Sequence, residues 1–211
     1  MTPRMSAQSS GMSTRDRLMQ AALQVFSERG VKGATTREIA QVAGVNETTL
    51  FRIFQSKELL LKALVESAAQ KIREALESSN MGHNDLRQDL TYYATVYQEV
   101  LYQHEPMVRM MVGEAHRQPE AAHQIACAAW TPVRHHLISY LDRAKELGQV
   151  RPELDSTQLV EMLVSMLMGF MLRRKVVPTH FTPDDYLHTA LSVFIQGLSP
   201  SQAIGHEKEM R

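Results

Sequence analysis

The chain has a single cysteine, Cys127, among its 211 residues. That excludes an intramolecular disulfide and a cysteine-rich zinc module, and it suits a reducing cytoplasm. No His-Glu-x-x-His run occurs, and the glycines form no phosphate-cradling loop with a lysine. No stretch alternates apolar and polar residues long enough to argue a sheet, and no Asn-Gly stands between β-branched runs. The most lipophilic run, Leu159 to Leu172, falls short of the about 20 residues that a bilayer span needs, and it contains Glu161. Nothing in it points to a membrane. The first dozen residues lack the continuous apolar core of a signal peptide and read as a disordered tail. Net charge is also missing: 23 lysines and arginines balance 23 aspartates and glutamates.

That balance hides an asymmetry. Residues 1–60 carry 8 basic and 5 acidic side chains, a surplus of +3, and the remainder carries the matching deficit. The first segment can therefore approach a polyanion while the rest stays neutral to acidic. With 44% hydrophobic and 22% charged residues, the composition is that of an ordinary globular chain, not a disordered one.

Helical spacing dominates. Leu18, Ala22, Val25 and Phe26 fall on one face of a helix that Gly30 is expected to end. Leu187, Ala190, Leu191, Phe194 and Ile195 do the same near the C-terminus. There Thr182 is the expected N-cap, Pro183 the first helical residue, Asp185 the partner in a capping box and Gly197 the stop. Breaks at Gly30–Ala34, Gly44–Asn46, Gln55–Ser56, Ser78–Asn84, Glu105–Pro106, Gln118–Pro119, Gly148–Pro152 and Val177–Pro183 divide an all-α chain into about nine helices. Pro132 is expected either to kink its helix or to split it after Thr131.

Residues 35–54, TTREIAQVAGVNETTLFRIF, carry the most information. Thr35 can cap a short helix, with Glu38 three residues on returning to its backbone nitrogen. Ile39, Ala40 and Ala43 make the buried stripe, and the alanines are small where a second helix must cross. Gly44 supplies the left-handed residue of a tight turn, Val45 plugs the angle, and Asn46 caps the next helix. In that helix Leu50 and Phe54 face inward, leaving Glu47, Thr48, Thr49, Phe51 and Arg52 outside. This is the pattern of a helix-turn-helix, although a plain helical hairpin with a solvated polar face has the same local signature.

Residues 14–62 resemble the N-terminal domain of the TetR (tetracycline-repressor-like) family of bacterial transcriptional regulators. The matching elements, in order, are Ala21-Ala22 through Phe26 and Gly30, Thr35-Thr36, Ile39-Ala40, Ala43-Gly44-Val45, Thr49-Leu50-Phe51, Phe54, and Ser56-Lys57-Glu58-Leu59-Leu60. The family usually has serine and glycine where Asn46 and Thr48 stand, tyrosine at Phe51 and histidine at Ile53. Phe51 keeps the ring but lacks the hydroxyl that commonly bonds a phosphate. The resemblance implies a helix-turn-helix DNA-binding domain at 14–60, an effector-binding and dimerisation domain at 61–200, and tails at 1–13 and 201–211. Thr35, Thr36, Arg37 and Lys57 are expected to hold phosphates. Asn46, Glu47, Thr48, Thr49 and Arg52 are expected at base edges, with Arg52 also suited to a phosphate and Glu47 also suited simply to the solvated start of its helix, where a carboxylate is favoured.

Leu159 to Leu172 is apolar nearly all round, broken only by Glu161 and Ser165, so it needs cover on two sides. A second copy of the chain is one such cover and a deep intramolecular core is the other. By resemblance, residues 157–174 and 184–197 form an intersubunit four-helix bundle. The middle region holds Tyr92, Tyr93, Tyr97, Tyr102, Met107, Met110, Met111 and Trp130, large adaptable side chains suited to an apolar ligand. The expected lining of an effector pocket is Tyr93, Tyr97, Met111, Trp130, Arg134, Met166 and Phe170, with Arg134 as the charged anchor and an apolar or amphiphilic effector.

The resemblance thus implies a cytoplasmic homodimeric repressor on a palindromic operator, with no cofactor, metal or catalytic residue. A helical enzyme and a non-DNA-binding adaptor are the competing classes. Nine histidines, including His116, His123, His135 and His136, read as solvated surface groups, and Cys127 reads as a small buried side chain.

Overall fold

A computed structural model describes residues 12–79, 85–117 and 119–200. Most of the tail expected at 1–13, the tail at 201–211 and most of the break expected at 78–84 lie outside the described residues. Among the described residues there are nine helices and no strand: α1 (Thr14–Gly33), α2 (Thr36–Val42), α3 (Glu47–Phe54), α4 (Lys57–Ser78), α5 (Leu86–Gln103), α6 (Glu105–Arg117), α7 (Pro119–Glu146), α8 (Ser156–Arg173) and α9 (Pro183–Leu198).

Most expected boundaries correspond to caps. Ser13 accepts from the Asp16 amide, Thr35 from Glu38, Asn46 from Thr48, Asp155 from Gln158 and Thr182 from Asp185. The capping box at Thr182 is complete, and the Thr182 N–H and hydroxyl together hold the Asp185 carboxyl below its usual range. The reciprocal bond expected at Thr35 does not form, because the Glu38 carboxylate turns instead to Arg29 Nε at 3.4 Å. Gly30 takes φ +69° and breaks α1 as expected, but a last turn follows to Gly33. α9 runs one residue beyond Gly197, and α7 continues unbroken through Pro132.

Backbone packing groups the helices into two units. The first comprises residues up to Lys71 together with Gln103–Thr131, so that α6 joins the N-terminal helices although it lies far along the chain. Here α1 packs on α2 and α6, and α2 packs on α3. Leu18, Ala22, Phe26, Ile39, Ala40, Leu50 and Leu60 are its buried centre. The second unit comprises Ile72–Tyr102 and the residues from Pro132 onward. Its core is built from Ile72, Leu90, Tyr93, Ala94, Leu137, Leu141, Val160, Leu163 and Met171.

One buried carboxylate anchors the second unit. Asp89 on α5 is fully buried and bonds the Tyr140 phenol on α7; burial and that carboxylate together push the phenol well above its ordinary range. Tyr140→Phe removes one of the bonds to a desolvated charge. It should cost about 1–2 kcal/mol, lowering Tm by roughly 2–8 °C in thermal melts. An unchanged melt would show that Asp89 is satisfied without Tyr140.

Candidate nucleic-acid interface

The helix-turn-helix is assembled within the first unit. Leu50 and Phe54 of α3 turn inward and are buried, whereas Phe51 on the opposite side is 46% exposed. Gly44 takes φ +67° in the turn, a backbone state that favours glycine, and the Val45 N–H closes the turn on the Ala40 carbonyl at 3.0 Å.

At the start of α3 the polar side chains bond one another. Asn46 Oδ1 accepts from the Thr48 amide at 3.0 Å and from the Thr48 hydroxyl at 2.9 Å. Asn46 is thereby left with its amide donors for an outside partner. The Thr36 hydroxyl, at the first position of α2, donates to Glu47 Oε1 at 2.5 Å. Arg37, Thr48 and Arg52 are exposed, and Thr49 is half-buried. Lys57 Nζ donates to the Ala34 carbonyl at 3.0 Å, which ties the first residue of α4 to the α1–α2 junction and leaves the ammonium further donors.

Two features here have no signal in the sequence. The Arg15 guanidinium lies 5.1 Å from the Phe54 ring centre, bracing α1 against the end of α3. Gln55 takes φ +66° and ψ −39°, with the Ser56 N–H on the Phe54 carbonyl at 2.7 Å, a γ-turn that leads into α4. A left-handed glutamine is strained, so Gln55→Gly should add up to about 1 kcal/mol of stability and raise Tm by roughly 2–4 °C. A lowered Tm would show that the turn is not strained.

The residues expected to line an effector pocket divide between the units. Met111 and Trp130 belong to the first, and Tyr93, Tyr97, Arg134, Met166 and Phe170 to the second. Tyr93 and Tyr97 stack at 5.9 Å between ring centres and are buried, which drives both phenols far above their ordinary range; the Glu161 charge adds to this. Arg134 is already engaged, pairing with Glu161 at 2.5 Å. Phe170 stacks on Tyr186 at 4.1 Å and on Phe181 at 5.7 Å, and the Tyr186 hydroxyl donates to the Met166 carbonyl at 3.2 Å. These contacts brace the segment between α8 and α9.

His116, His123, His135 and His136 are exposed as expected, but His104 is not a free surface group. It is half-buried, neither ring nitrogen has a hydrogen-bond partner, and burial with the nearby Lys71 charge lowers its pKa. Cys127, expected to be buried, is partly exposed and lies 3.4 Å from His123 Nε2. Among the described residues no group of three or more His, Cys, Asp or Glu is placed to hold a metal, and no helix is long and apolar enough to cross a membrane.

Comparison with known proteins decides the family. Residues 18–64 match the sequence model for bacterial regulatory proteins of the tetR family, and residues 82–191 match that for the tetracyclin repressor-like C-terminal domain. The chain is a TetR-family regulator. It is 24% identical over 191 residues to the HTH-type transcriptional regulator YvkB of Bacillus subtilis, covering 88% of this chain and 97% of YvkB. Its fold resembles that of the fatty acid degradation regulator FadR from Bacillus halodurans, with a TM-score of 0.71 at 19% identity over 88% of this chain and 96% of FadR. It also resembles PfmR from Thermus thermophilus, with a TM-score of 0.68 at 21% identity over 88% of this chain and all of PfmR. As a TetR-family protein the chain is a helix-turn-helix DNA-binding transcriptional regulator and not an enzyme, which sets aside both competing classes.

Proposed function

We propose that this TetR-family chain acts in the cytoplasm as a homodimer that represses transcription from a near-palindromic operator and is released by a small apolar or amphiphilic effector. The observation that carries the dimer is the outward side of α8 and α9. Met162 is 55% exposed and Val193 67% exposed, and around them lie exposed Ser165, Gly169, Thr189 and Gly197. Apolar surface left in water costs about 25 cal/mol per Å². A second copy's α8 and α9 would cover it in a four-helix bundle. Two recognition helices about 34–36 Å apart would then meet successive major grooves of a symmetric site.

On the DNA, the amides that open α2 at Thr35 and Thr36, together with Arg37 and Lys57, would hold phosphates. Asn46, Thr48, Thr49, Phe51 and Arg52 would face the groove. For the effector, the second unit supplies Tyr93, Tyr97, Arg134, Met166 and Phe170, aromatic and sulfur side chains beside one ion pair. An apolar or amphiphilic molecule suits that chemistry, and the description of FadR as a fatty acid degradation regulator agrees with it. Bound effector would favour a dimer conformation with lower operator affinity.

Sedimentation at micromolar concentration should give twice the 23.9 kDa chain mass. Mobility shifts on duplex selected from a random pool should weaken with a member of a panel of apolar carboxylic acids and alcohols. A monomer, or an affinity that no compound alters, would reject the corresponding half of the proposal.

A further inference from the structure

Glu47 occupies a position where two roles compete. As the first residue of the recognition helix it could reach a cytosine amino group, since a carboxylate accepts from that donor. The structure offers it different work. Its Oε1 accepts the Thr36 hydroxyl at 2.5 Å, the short distance of a charge-assisted bond, and Thr36 opens α2. The bond spans eleven residues and joins the starts of the two helices on whose relative angle DNA reading depends. The carboxylate also lies at the positive end of α3, where a negative charge is favoured. Turning toward a base would draw the carboxylate away from that bond and from that helix end, beside a row of phosphates.

We infer that Glu47 is a positioning residue that sets the angle of the recognition helix through Thr36, and that it reads no base. The Thr36 hydroxyl serves the same joint, and its backbone amide remains for a phosphate. This inference rests on the reading surface proposed above, and Thr49 serves as the internal control for it.

Wild type, Glu47→Gln, Glu47→Ala, Thr36→Val and Thr49→Ala are each used to select duplexes from a random double-stranded pool, and each is then titrated against the wild-type selected duplex. Glu47→Gln keeps an acceptor for Thr36 and removes the charge facing phosphates. It should retain the wild-type base preference and bind as tightly or more tightly. Glu47→Ala and Thr36→Val should each weaken binding by about 3- to 10-fold on every sequence alike. A chain carrying both Thr36→Val and Glu47→Ala, titrated in the same way, should be no weaker than the weaker single, because both lesions break the same bond. Thr49→Ala should shift the preferred motif. A base preference changed by Glu47→Gln or Glu47→Ala overturns the inference, as do additive losses in the double variant. A motif unmoved by Thr49→Ala overturns the proposed reading surface, and this inference with it.

Discussion

Val193→Glu should convert the protein to a monomer and lower its operator affinity by about 100-fold or more. Val193 is 67% exposed in a single chain, so a glutamate there leaves the subunit core intact and its folding little changed. In a symmetric dimer the same substitution buries two carboxylates at one interface, which costs more than the apolar contact contributes. A monomer engages one half-site and loses the gain of tethering two reading heads, which is commonly about 10² to 10⁴. Sedimentation and mobility shifts measure the two effects, and circular dichroism checks the fold. Met162→Glu on α8 should reproduce the result, whereas Val193→Ala should only weaken it. A Val193→Glu chain that still sediments as a dimer would place the interface elsewhere.

The second large effect concerns DNA. Arg52→Ala should weaken operator binding by about 10- to 100-fold, the cost of a lost charge-assisted contact, and reduce the slope of log affinity against log salt by about one phosphate's worth. Lys57→Ala should do the same and also lower Tm, because its ammonium braces the α1–α2 junction through the Ala34 carbonyl. Thr49→Ala should instead change which base is preferred at one position of each half-site, with little change in salt slope. Mobility shifts over a salt series separate these outcomes. If all three variants keep wild-type affinity and preference, the contacts lie elsewhere on the first unit.

Helices and their starts are legible in this chain because the forces that place them are local. Thr35, Asn46 and Thr182 cap the nearest amides whatever packs around them, and the apolar spacing of Leu18 to Phe26 or Leu187 to Ile195 marks a buried face before any partner is known. Family membership was legible for a related reason. The spacing from Ala21 to Leu60 runs from the buried face of α1 through the caps of α2 and α3 and the Gly44 turn to the start of α4, all of them set by near neighbours. Less visible was the end of α3, where Gln55 adopts a backbone that the sequence pattern assigns to glycine or asparagine.

Where the polar side chains go was settled by the packing of one helix on another. Glu38 had two possible partners, the Thr35 nitrogen three residues away and Arg29 on another helix, and the packing of α1 on α2 selected Arg29. Arg134, a candidate ligand anchor in the sequence, found Glu161 across the second unit. Phe170 found Phe181 and Tyr186 once the chain reversed between α8 and α9. Glu47 met Thr36 only when α3 had crossed α2. Caps and apolar stripes follow from neighbours three or four residues apart. The Arg29–Glu38 and Arg134–Glu161 pairs, the Phe170 stacks and the Thr36–Glu47 bond join separate elements, so their partners exist only after the helices have docked. The order of residues was therefore enough to specify an all-helical DNA-binding regulator. Docked helices then fixed which of its polar groups remain free to touch anything else.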